Sequence, residues 1–297
     1  MTIDGILPAL LTAYEEDGRV SSQRTRTLVT QLDAAGVDGY FVSGTSGEYY
    51  LLSTEERLLV LETVAEEAPG REIIFQVAAS DQRAVRELAL RAADHGATAL
   101  SASIPLYYGY GDDSLARYFR DVREHSDLPL LAYTIPGSTG RPLGADLLTG
   151  LAEEGVIQGL KYTSSDLAIL ARLRARLGED FTILLGSDDL LLAAMAQGAN
   201  GGIGATFNLA PALYVALYRA VRSGDLAEAR RLQQIAVRLL DALADGEVYP
   251  VLKSAMRSRG LDVGQARFPM ARHDPAADAR VAEALGRIDG LGDFLIG

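Results

Sequence analysis

A short apolar strand that ends in a lysine is predicted by the segment Gly155-Val156-Ile157-Gln158-Gly159-Leu160-Lys161-Tyr162-Thr163-Ser164-Ser165-Asp166. A Ser/Thr-rich turn follows, and Ser165 or Asp166 is predicted to cap the next helix. The 28 basic residues include only two lysines, Lys161 and Lys253. Arginine keeps its proton and cannot form an imine, whereas a desolvated lysine can lose its proton and form one. Lys161 is therefore a candidate catalytic residue, and the alternative is a lysine that snorkels to solvent.

Similar apolar runs recur along the chain and alternate with amphipathic helical patterns. These runs are Ile6 to Thr12, Tyr40 to Ser43, Ile73 to Val77, Ala99 to Ser103, Leu130 to Tyr133, Ile157 to Lys161, Thr182 to Gly186 and Gly202 to Gly204. In a chain of 297 residues, this alternation is typical of the α/β class and predicts a (β/α)8 TIM barrel. An open doubly wound sheet is the alternative, but no Gly-x-Gly-x-x-Gly motif follows the first run.

Helix signals support this architecture and predict a C-terminal helical extension. Ser53 and Glu56 form a capping-box pattern, and Asp81 is placed to cap the following helix. After Gly204 the pattern is purely helical, over Pro211 to Arg222, Leu226 to Leu243 and Val248 to Arg259. We therefore predict a barrel domain over residues 1–224 and a helical region over residues 225–297 that packs on it, with Lys253 snorkelling from a helical stripe.

Composition excludes several classes of function. The net charge of −12 argues against a nucleic-acid partner. No apolar run reaches membrane-spanning length and no secretory signal is found, so no membrane partner and a cytoplasmic location are expected. Zero cysteines exclude a thiolate nucleophile and disulfides. The three histidines, His95, His125 and His273, lie in polar stretches and are expected to be structural, so neither a Ser-His-Asp triad nor a metal site is predicted.

The chemistry of barrel enzymes lies at the C-terminal ends of their strands. The second run is followed by Gly44-Thr45-Ser46-Gly47-Glu48, where two glycines let backbone amides turn inward between two hydroxyls. Such a nest can bind a carboxylate or a phosphate. The alternative is an ordinary glycine-rich turn.

Other polar groups follow the later strands. Tyr133 ends the fifth run, and an aromatic loop, Pro105-Leu106-Tyr107-Tyr108-Gly109-Tyr110, follows the fourth. Gly186-Ser187-Asp188-Asp189 and Gly201-Gly202-Ile203-Gly204-Ala205-Thr206 end the last two. Each has a structural alternative, since tyrosines fill cores, acidic residues cap helices and glycines allow close packing.

A lysine, a phenol and an anion-binding nest in one cavity suit imine chemistry on a 2-oxo acid. Lys161 must be a neutral amine to attack the keto carbon, and burial can lower a lysine pKa by up to ~3–5 units. Tyr133 could transfer protons to and from the carbinolamine and the aldol oxygen. Its ordinary pKa of ~10 makes it a weak base, so it needs hydroxyl neighbours or the substrate carboxylate.

These motifs resemble those of the pyruvate-dependent class I aldolases, the family that includes N-acetylneuraminate lyase and dihydrodipicolinate synthase. Gly44 to Glu48 is similar to the family's G-[ST]-T-G-E, Tyr133-Thr134-Ile135-Pro136 is similar to Y-N-[IV]-P, and Lys161 matches the Schiff-base lysine. The resemblance spans nearly the whole chain and implies a (β/α)8 barrel with a C-terminal helical region, a homotetramer and no cofactor.

The resemblance also implies roles for individual residues. Thr45 and Tyr107 match the hydroxyl relay that serves the catalytic tyrosine, Tyr107 being supplied by a neighbouring subunit. The positions that hold the pyruvate carboxylate correspond to Ser46 and Gly47. The remaining substrate-binding positions correspond to Thr163, Gly186, Asp188, Asp189 and Gly204.

Departures from the family pattern favour its lyase branch. Ser138 stands where dihydrodipicolinate synthases carry an arginine for the second substrate's carboxylate, which argues against that activity. Asp188 and Asp189 match an Asp-Glu pair that binds sugar hydroxyls in the lyases. Ala205 and Thr134 replace a serine and an asparagine of that branch, so an aldolase or dehydratase for 2-keto-3-deoxy sugar acids is an alternative.

The expected substrates are pyruvate and a polyhydroxylated aldehyde, joined or separated by an aldolase or lyase. A non-catalytic barrel that binds a 2-oxo acid is a second class, but it predicts loss of the lysine or the phenol, and both are present. A sugar-phosphate enzyme is a third class, but it predicts basic residues after the last two strands, where Asp188 and Asp189 stand instead.

Overall fold

The computed structural model describes residues 2–244, 246–271 and 274–297. Eight β-strands alternate with helices along the chain, as the sequence predicts. The strands are β1 Gly5–Pro8, β2 Gly39–Val42, β3 Glu72–Gln76, β4 Ala99–Ser103, β5 Leu130–Thr134, β6 Gly159–Tyr162, β7 Thr182–Leu185 and β8 Gly201–Gly204.

All eight strands are parallel and lie in one sheet of order β1-β8-β7-β6-β5-β4-β3-β2. A parallel bridge between Ala9 and Phe41 connects the end of β1 to β2, and the Leu10 amide donates to the Phe41 carbonyl over 2.9 Å. The sheet therefore forms a nearly closed barrel, and the predicted fold class is confirmed.

Most strand boundaries shift by a single residue from the prediction, and two shift by more for local reasons. The first strand ends at Pro8 instead of reaching Thr12, because the chain beyond it makes only the bridge at Ala9. The sixth strand begins at Gly159, since the amides of Val156 and Ile157 donate to the Leu151 carbonyl at the end of the preceding helix.

Twelve α-helices lie within the described residues, and the last three form the C-terminal helical part. They are α1 Ser22–Ala34, α2 Thr54–Glu67, α3 Gln82–Arg91, α4 Asp112–Glu124, α5 Pro136–Thr139, α6 Ala145–Glu153, α7 Ala168–Leu177, α8 Leu191–Ala196, α9 Pro211–Arg222, α10 Leu226–Ala242, α11 Val248–Ser258 and α12 Pro275–Gly286. None of them is long and apolar enough to cross a membrane.

The predicted helix starts are confirmed at α2 and α3 but not at α7. Ser53 and Glu56 form the reciprocal capping box of α2, and Asp81 caps α3. The N-cap of α7 is Leu167 and not Ser165 or Asp166. The Asp166 carboxylate instead accepts from the Ala168 amide over 3.2 Å, an Asx-type turn that lies before the helix.

Strand alternation divides the buried side chains into two layers. The inner layer fills the barrel and contains Ile3, Leu7, Ala9, Phe41, Ile74, Ala99, Leu131, Tyr133, Leu184 and Ile203. A much larger apolar layer lies between the strands and the surrounding helices. Polar groups at the C-terminal ends of the strands therefore lie next to the apolar side chains that fill the barrel. These apolar neighbours lower the local dielectric constant.

The C-terminal helical part packs closely on the barrel. Helix α10 lies against α9 and α8, and α11 packs against α12. The Gln233 side-chain amide donates to the Asp188 carbonyl over 3.0 Å and accepts from the Leu192 amide over 2.9 Å. Helix α10 thereby holds the turn that follows β7.

Candidate active site

Lys161 and Tyr133 face each other inside the C-terminal end of the barrel. Strands β5 and β6 pair so that Tyr133 lies directly opposite Lys161. Only 3% of the Lys161 surface and 2% of the Tyr133 surface are exposed. The alternative of a snorkelling lysine is therefore wrong for Lys161, because its amine is enclosed.

Aromatic rings surround the Lys161 amine. Its Nζ lies 3.7 Å from the ring centroid of Phe41 and 4.3 Å from that of Tyr133. The two rings meet edge to face, with centroids 5.9 Å apart. Burial among them lowers the pKa of Lys161 to about 7, and the Asp188 charge opposes this shift only in part. A large fraction of the enzyme therefore carries a neutral, nucleophilic amine near neutral pH.

The lowered pKa predicts a pH profile. With a pKa of about 7, roughly half of the Lys161 side chains are neutral at pH 7, against roughly one in three thousand for an ordinary lysine. The rate of imine trapping by borohydride at low pyruvate concentration should therefore rise through pH 7 and then level off. Asp188→Asn removes the charge that raises this pKa, so the inflection should move to lower pH. An inflection that is unchanged or higher in Asp188→Asn would contradict this electrostatic account.

Tyr133 is a buried phenol with two threonine hydroxyls nearby. Its hydroxyl lies 3.4 Å from Thr45 Oγ1. Burial raises the pKa of Tyr133, while the nearby Thr45 and Thr163 hydroxyls partly offset that rise. The phenol is therefore protonated at neutral pH and is suited to donating a proton and recovering it through its hydroxyl neighbours.

The loop after β2 forms a tight turn. The Gly47 and Glu48 amides donate to the Gly44 and Thr45 carbonyls, each over 3.0 Å. None of the residues that the structure describes accepts a hydrogen bond from the Thr45 and Ser46 amides. A carboxylate would find those two amides and the Ser46 hydroxyl, whereas the Gly47 amide is already used within the turn.

Asp188 is the acidic group whose charge acts on the pKa of Lys161. Its Oδ2 accepts from the Thr206 amide over 2.9 Å and from the Thr206 hydroxyl over 2.6 Å. Burial raises the pKa of Asp188, and the Thr206 hydrogen bonds work against that rise. A side chain at Gly204 would collide with Asp188 Oδ1, which explains the glycine there. Asp189 is exposed and stands farther out.

Thr163 and Gly186 line the same end of the barrel. The Thr163 amide donates to the Thr134 carbonyl over 2.9 Å at the end of β5. A side chain at Gly186 would occupy the position of the Thr163 hydroxyl. The missing side chain at Gly186 thus leaves room for the Thr163 hydroxyl.

Tyr107 lies outside this chain's pocket. It is 94% exposed, it adopts φ +81°, and its ring contacts Tyr108 with centroids 5.1 Å apart. The structure therefore places Tyr133, Thr45 and Asp188 around Lys161, whereas Tyr107 and Asp189 are exposed.

Sequence reasoning missed three residues of the site. Phe41 covers the amine, Thr206 donates hydrogen bonds to Asp188, and Tyr249 of α11 lies near Ser46. Burial raises the pKa of Tyr249 to about 12, and negative charge on Tyr133 or Asp188 contributes to this rise. The alternation of side chains along a strand could have predicted Phe41, because this residue occupies an inward-facing position of β2.

The prediction for Lys253 is wrong. Its side chain is 1% exposed and forms an ion pair with Glu48 over 2.7 Å, so it does not snorkel to solvent. The partner lies in the turn after β2, far away in the sequence, and no helical stripe could reveal it.

The histidines that the structure describes lie at helix ends. The Nδ1 atoms of His95 and His125 are hydrogen-bonded to the carbonyls four residues earlier, over 2.9 Å and 2.8 Å. His273 lies outside the described residues. Within residues 2–244, 246–271 and 274–297, no group of three His, Asp or Glu side chains could hold a metal ion.

A (β/α)8 barrel whose C-terminal end holds a buried, readily neutralised lysine beside a phenol defines a class I aldolase, a lyase that works through an imine. The family follows from comparison with known proteins. Residues 2–287 match the Dihydrodipicolinate synthetase family, and the chain belongs to that family.

Individual relatives cover nearly the whole chain. N-acetylneuraminate lyase from Lactiplantibacillus plantarum is 36% identical over 91% of this chain and 93% of the relative. The structure of CdNal from Clostridium difficile in complex with mannosamine is similar with a TM-score of 0.92 and 27% identity, over 97% of this chain and 100% of that one. YagE from E. coli K12, a member of the dihydrodipicolinic acid synthase family in complex with pyruvate, has a TM-score of 0.91 and 28% identity, over 97% and 99% of the two chains.

Proposed function

We propose that this protein is a pyruvate-dependent class I aldolase that cleaves or forms a 2-oxo sugar acid, such as N-acetylneuraminate or a 2-keto-3-deoxy sugar acid. The observation that carries the proposal is the enclosed Lys161 amine, whose pKa is about 7, directly opposite the Tyr133 phenol. A relative that binds pyruvate and another that is an N-acetylneuraminate lyase support the choice of substrate.

In the cleavage direction, the neutral Lys161 amine attacks the C2 carbonyl of the sugar acid. Tyr133 supplies a proton to the departing water as the carbinolamine becomes an iminium. The Thr45 and Ser46 amides hold the substrate carboxylate. Loss of the C4 hydroxyl proton, through Tyr133 and its hydroxyl neighbours, breaks the C3–C4 bond and releases the aldehyde. The remaining enamine gains a proton at C3, and hydrolysis of the iminium releases pyruvate and regenerates the lysine.

The acidic residues after β7 set the chemistry of the substrate's far end. Asp188 keeps Oδ1 beside Gly204, and the neighbouring Asp189 is exposed to solvent. Carboxylates accept hydrogen bonds from hydroxyl groups, whereas a second carboxylate or a phosphate would meet like charge. The far end is therefore neutral and polyhydroxylated. Ala205 removes a hydroxyl from this region, which favours shorter sugar acids.

The substrate assignment predicts a preference that kinetics can measure. In the condensation direction with pyruvate, kcat/KM should be higher for neutral hydroxyaldehydes than for aspartate semialdehyde. Asp188→Ala and Asp189→Ala should lower kcat/KM for the hydroxyaldehydes, because they remove acceptors for hydroxyl groups. Asp180→Ala is the matched control, since this exposed aspartate precedes β7 at the opposite end of the barrel. Preference for aspartate semialdehyde, or unchanged kinetics in both site variants, would disprove the assignment.

We further propose that the active assembly is a homotetramer in which Tyr107 of one subunit serves the site of another. A phenol that is 94% exposed, on a loop with a positive φ, is poorly explained by the fold of one chain alone. The loop is nevertheless anchored at its end, because the Arg141 guanidinium donates to the Tyr110 carbonyl over 2.6 Å and pairs with Asp112 over 2.5 Å.

A shared site predicts complementation between inactive variants. Tyr107→Phe should lower turnover by ~10²-fold, in line with the loss of one proton-transfer group. When it is mixed with Lys161→Ala under conditions of subunit exchange, about a quarter of the sites in randomly paired symmetric dimers should regain both groups. Mass spectrometry of intact assemblies should verify the exchange. Proven exchange without recovered activity would show that each chain uses only its own residues.

The predicted domain division is part of this proposal. Residues 1–224 supply Lys161, the relay hydroxyl of Thr45 and the turn from Gly44 to Glu48, which we call the carboxylate-binding turn. Residues 225–297 cover the barrel and contribute Tyr249. A chain with zero cysteines makes no use of an oxidising compartment, which is compatible with the expected cytoplasmic location.

A further inference from the structure

A buried ion pair links the C-terminal helical part to the turn after β2. Lys253 Nζ of α11 lies 2.7 Å from Glu48 Oε1, and the two side chains are 1% and 0% exposed. Burial lowers the pKa of Lys253, and the facing Glu48 charge works against that shift. Removing two charges from water is costly, and apolar side chains of similar size often stabilise a fold equally well. Stability alone therefore gives a weak reason for this pair.

The ion pair contacts the carboxylate-binding turn from two sides. Glu48 is the last residue of that turn and adopts φ +58°, so its backbone is held in a left-handed conformation. Lys253 Nζ also donates to the Thr12 carbonyl over 2.8 Å, and the Thr12 hydroxyl donates to the Gly47 carbonyl over 2.6 Å. One ammonium group therefore anchors both Glu48 and, through Thr12, Gly47.

The other Glu48 oxygen is anchored by the same C-terminal part. Glu48 Oε2 accepts from the Arg267 amide over 2.8 Å. The Arg267 guanidinium forms two hydrogen bonds to the Glu56 carboxylate, over 2.8 Å and 2.6 Å, at the start of α2. Both carboxylate oxygens of Glu48 are thus engaged by residues beyond position 250, and the turn is fixed relative to α11.

Tyr249 lies one helical turn before Lys253 on the same face of α11. Its hydroxyl lies near the Ser46 side chain of the turn, which works against the rise in the Tyr249 pKa that burial causes. The contacts that hold Lys253 in place therefore also hold Tyr249, whose hydroxyl lies near Ser46. The turn and the helix therefore approach each other at two points, the ion pair and the Tyr249 hydroxyl, and the ion pair holds them together.

We propose that the Glu48–Lys253 ion pair is a positioning device for pyruvate binding, which holds the Ser46 amide and the Tyr249 hydroxyl in place. Lys253 is thus a positioning residue, and the C-terminal helical part belongs functionally to the active site. This inference rests on the proposed function, because it takes the turn to be the site of the pyruvate carboxylate.

The test separates binding from chemistry with a reaction that needs pyruvate alone. Imine and enamine interconversion exchanges the C3 protons of pyruvate, so uptake of deuterium from D2O gives kcat and KM without an aldehyde. The double variant Glu48→Gln/Lys253→Met removes both charges together and keeps the side-chain shapes. Its KM for pyruvate should rise by about tenfold with little change in kcat, because the lost interactions serve ground-state binding.

The matched control is a second ion pair in the C-terminal helical part. Arg231 and Glu228 pair over 2.6 Å on the exposed side of α10. Glu228→Gln/Arg231→Met should leave the KM unchanged. If Glu48→Gln/Lys253→Met folds and binds pyruvate like the wild type, the pair is only structural and the proposal is wrong.

Thr12→Val provides a test that does not alter the ion pair. It removes only the hydroxyl that donates to the Gly47 carbonyl. A raised KM with retained kcat supports the proposal, whereas an unchanged KM overturns it.

Hydrogen exchange at the Gly47 and Glu48 amides gives a readout that is independent of catalysis. These amides should exchange faster in the double variant. A wild type that exchanges no pyruvate protons would refute the proposed function, whereas unaltered amide exchange would refute the positioning role.

Discussion

Lys161→Met should abolish imine formation and lower turnover by roughly 10⁴-fold or more, as expected when a covalent nucleophile is lost. The only other lysine in the sequence is Lys253, and its 1% exposure and pairing with Glu48 prevent it from replacing Lys161. Turnover of N-acetylneuraminate and of 2-keto-3-deoxy sugar acids, measured as pyruvate release, checks this expectation. Substantial residual turnover in Lys161→Met would assign the chemistry to another group.

The two lysines should differ in their effects on stability. The pKa of Lys161 is lower in the folded protein than in the unfolded chain, so the folded state binds fewer protons. A protonated Lys161 therefore destabilises the folded protein. This cost in free energy is present in full below pH 7 and falls to zero as the pH rises towards 10.5. Lys161→Met should therefore raise the free energy of unfolding, and more so at pH 6 than at pH 10. Lys253→Met should lower it by about 3–5 kcal/mol, because a buried Glu48 charge loses its partner.

Tyr133→Phe should lower turnover by ~10²–10⁴-fold while the fold remains intact, because the ring stays packed and only the proton carrier is lost. The hydroxyl lies 3.4 Å from Thr45 Oγ1, and Phe41 packs edge to face against the ring. Burial raises the pKa of this phenol, so it donates its proton rather than acting as a free base. Turnover of the best sugar acid under saturating conditions measures the effect.

Tyr40→Phe is the matched control for Tyr133→Phe. Tyr40 is also a buried strand tyrosine, but its hydroxyl donates to the Val29 carbonyl over 3.2 Å on the helix side of the sheet. Its replacement should cost about 1 kcal/mol of stability and leave turnover unchanged. Nearly normal turnover in Tyr133→Phe would mean that the substrate or another phenol carries the proton.

Local sequence patterns predicted the barrel because each β/α unit repeats the same two signals. A short apolar run marks each strand, and capping residues such as Ser53 and Asp81 mark helix starts. The site was predictable in part for the same reason. Lys161 and Tyr133 both stand at strand ends, and the strand ends of a barrel meet on one face.

The unpredicted part of the site depends on contacts between residues far apart in the sequence. Tyr249 meets Ser46, and Lys253 meets Glu48, across about two hundred residues in each case. A helical stripe shows which face of α11 is buried but not which group of the barrel it covers. Snorkelling was therefore predicted for Lys253, although its buried partner makes an ion pair more favourable. The cap of α7 was missed for a local reason, because Asp166 closes a turn before the helix begins.

The most direct test of the central claim is mass spectrometry of the protein after incubation with pyruvate and borohydride. Reduction converts an imine into a stable secondary amine, so the adduct records which nitrogen attacked the keto carbon. We expect one pyruvate adduct per wild-type chain, located at Lys161 by peptide mapping, and none in Lys161→Met. An unmodified wild-type chain, an adduct at Lys253, or an adduct that persists in Lys161→Met would contradict the account.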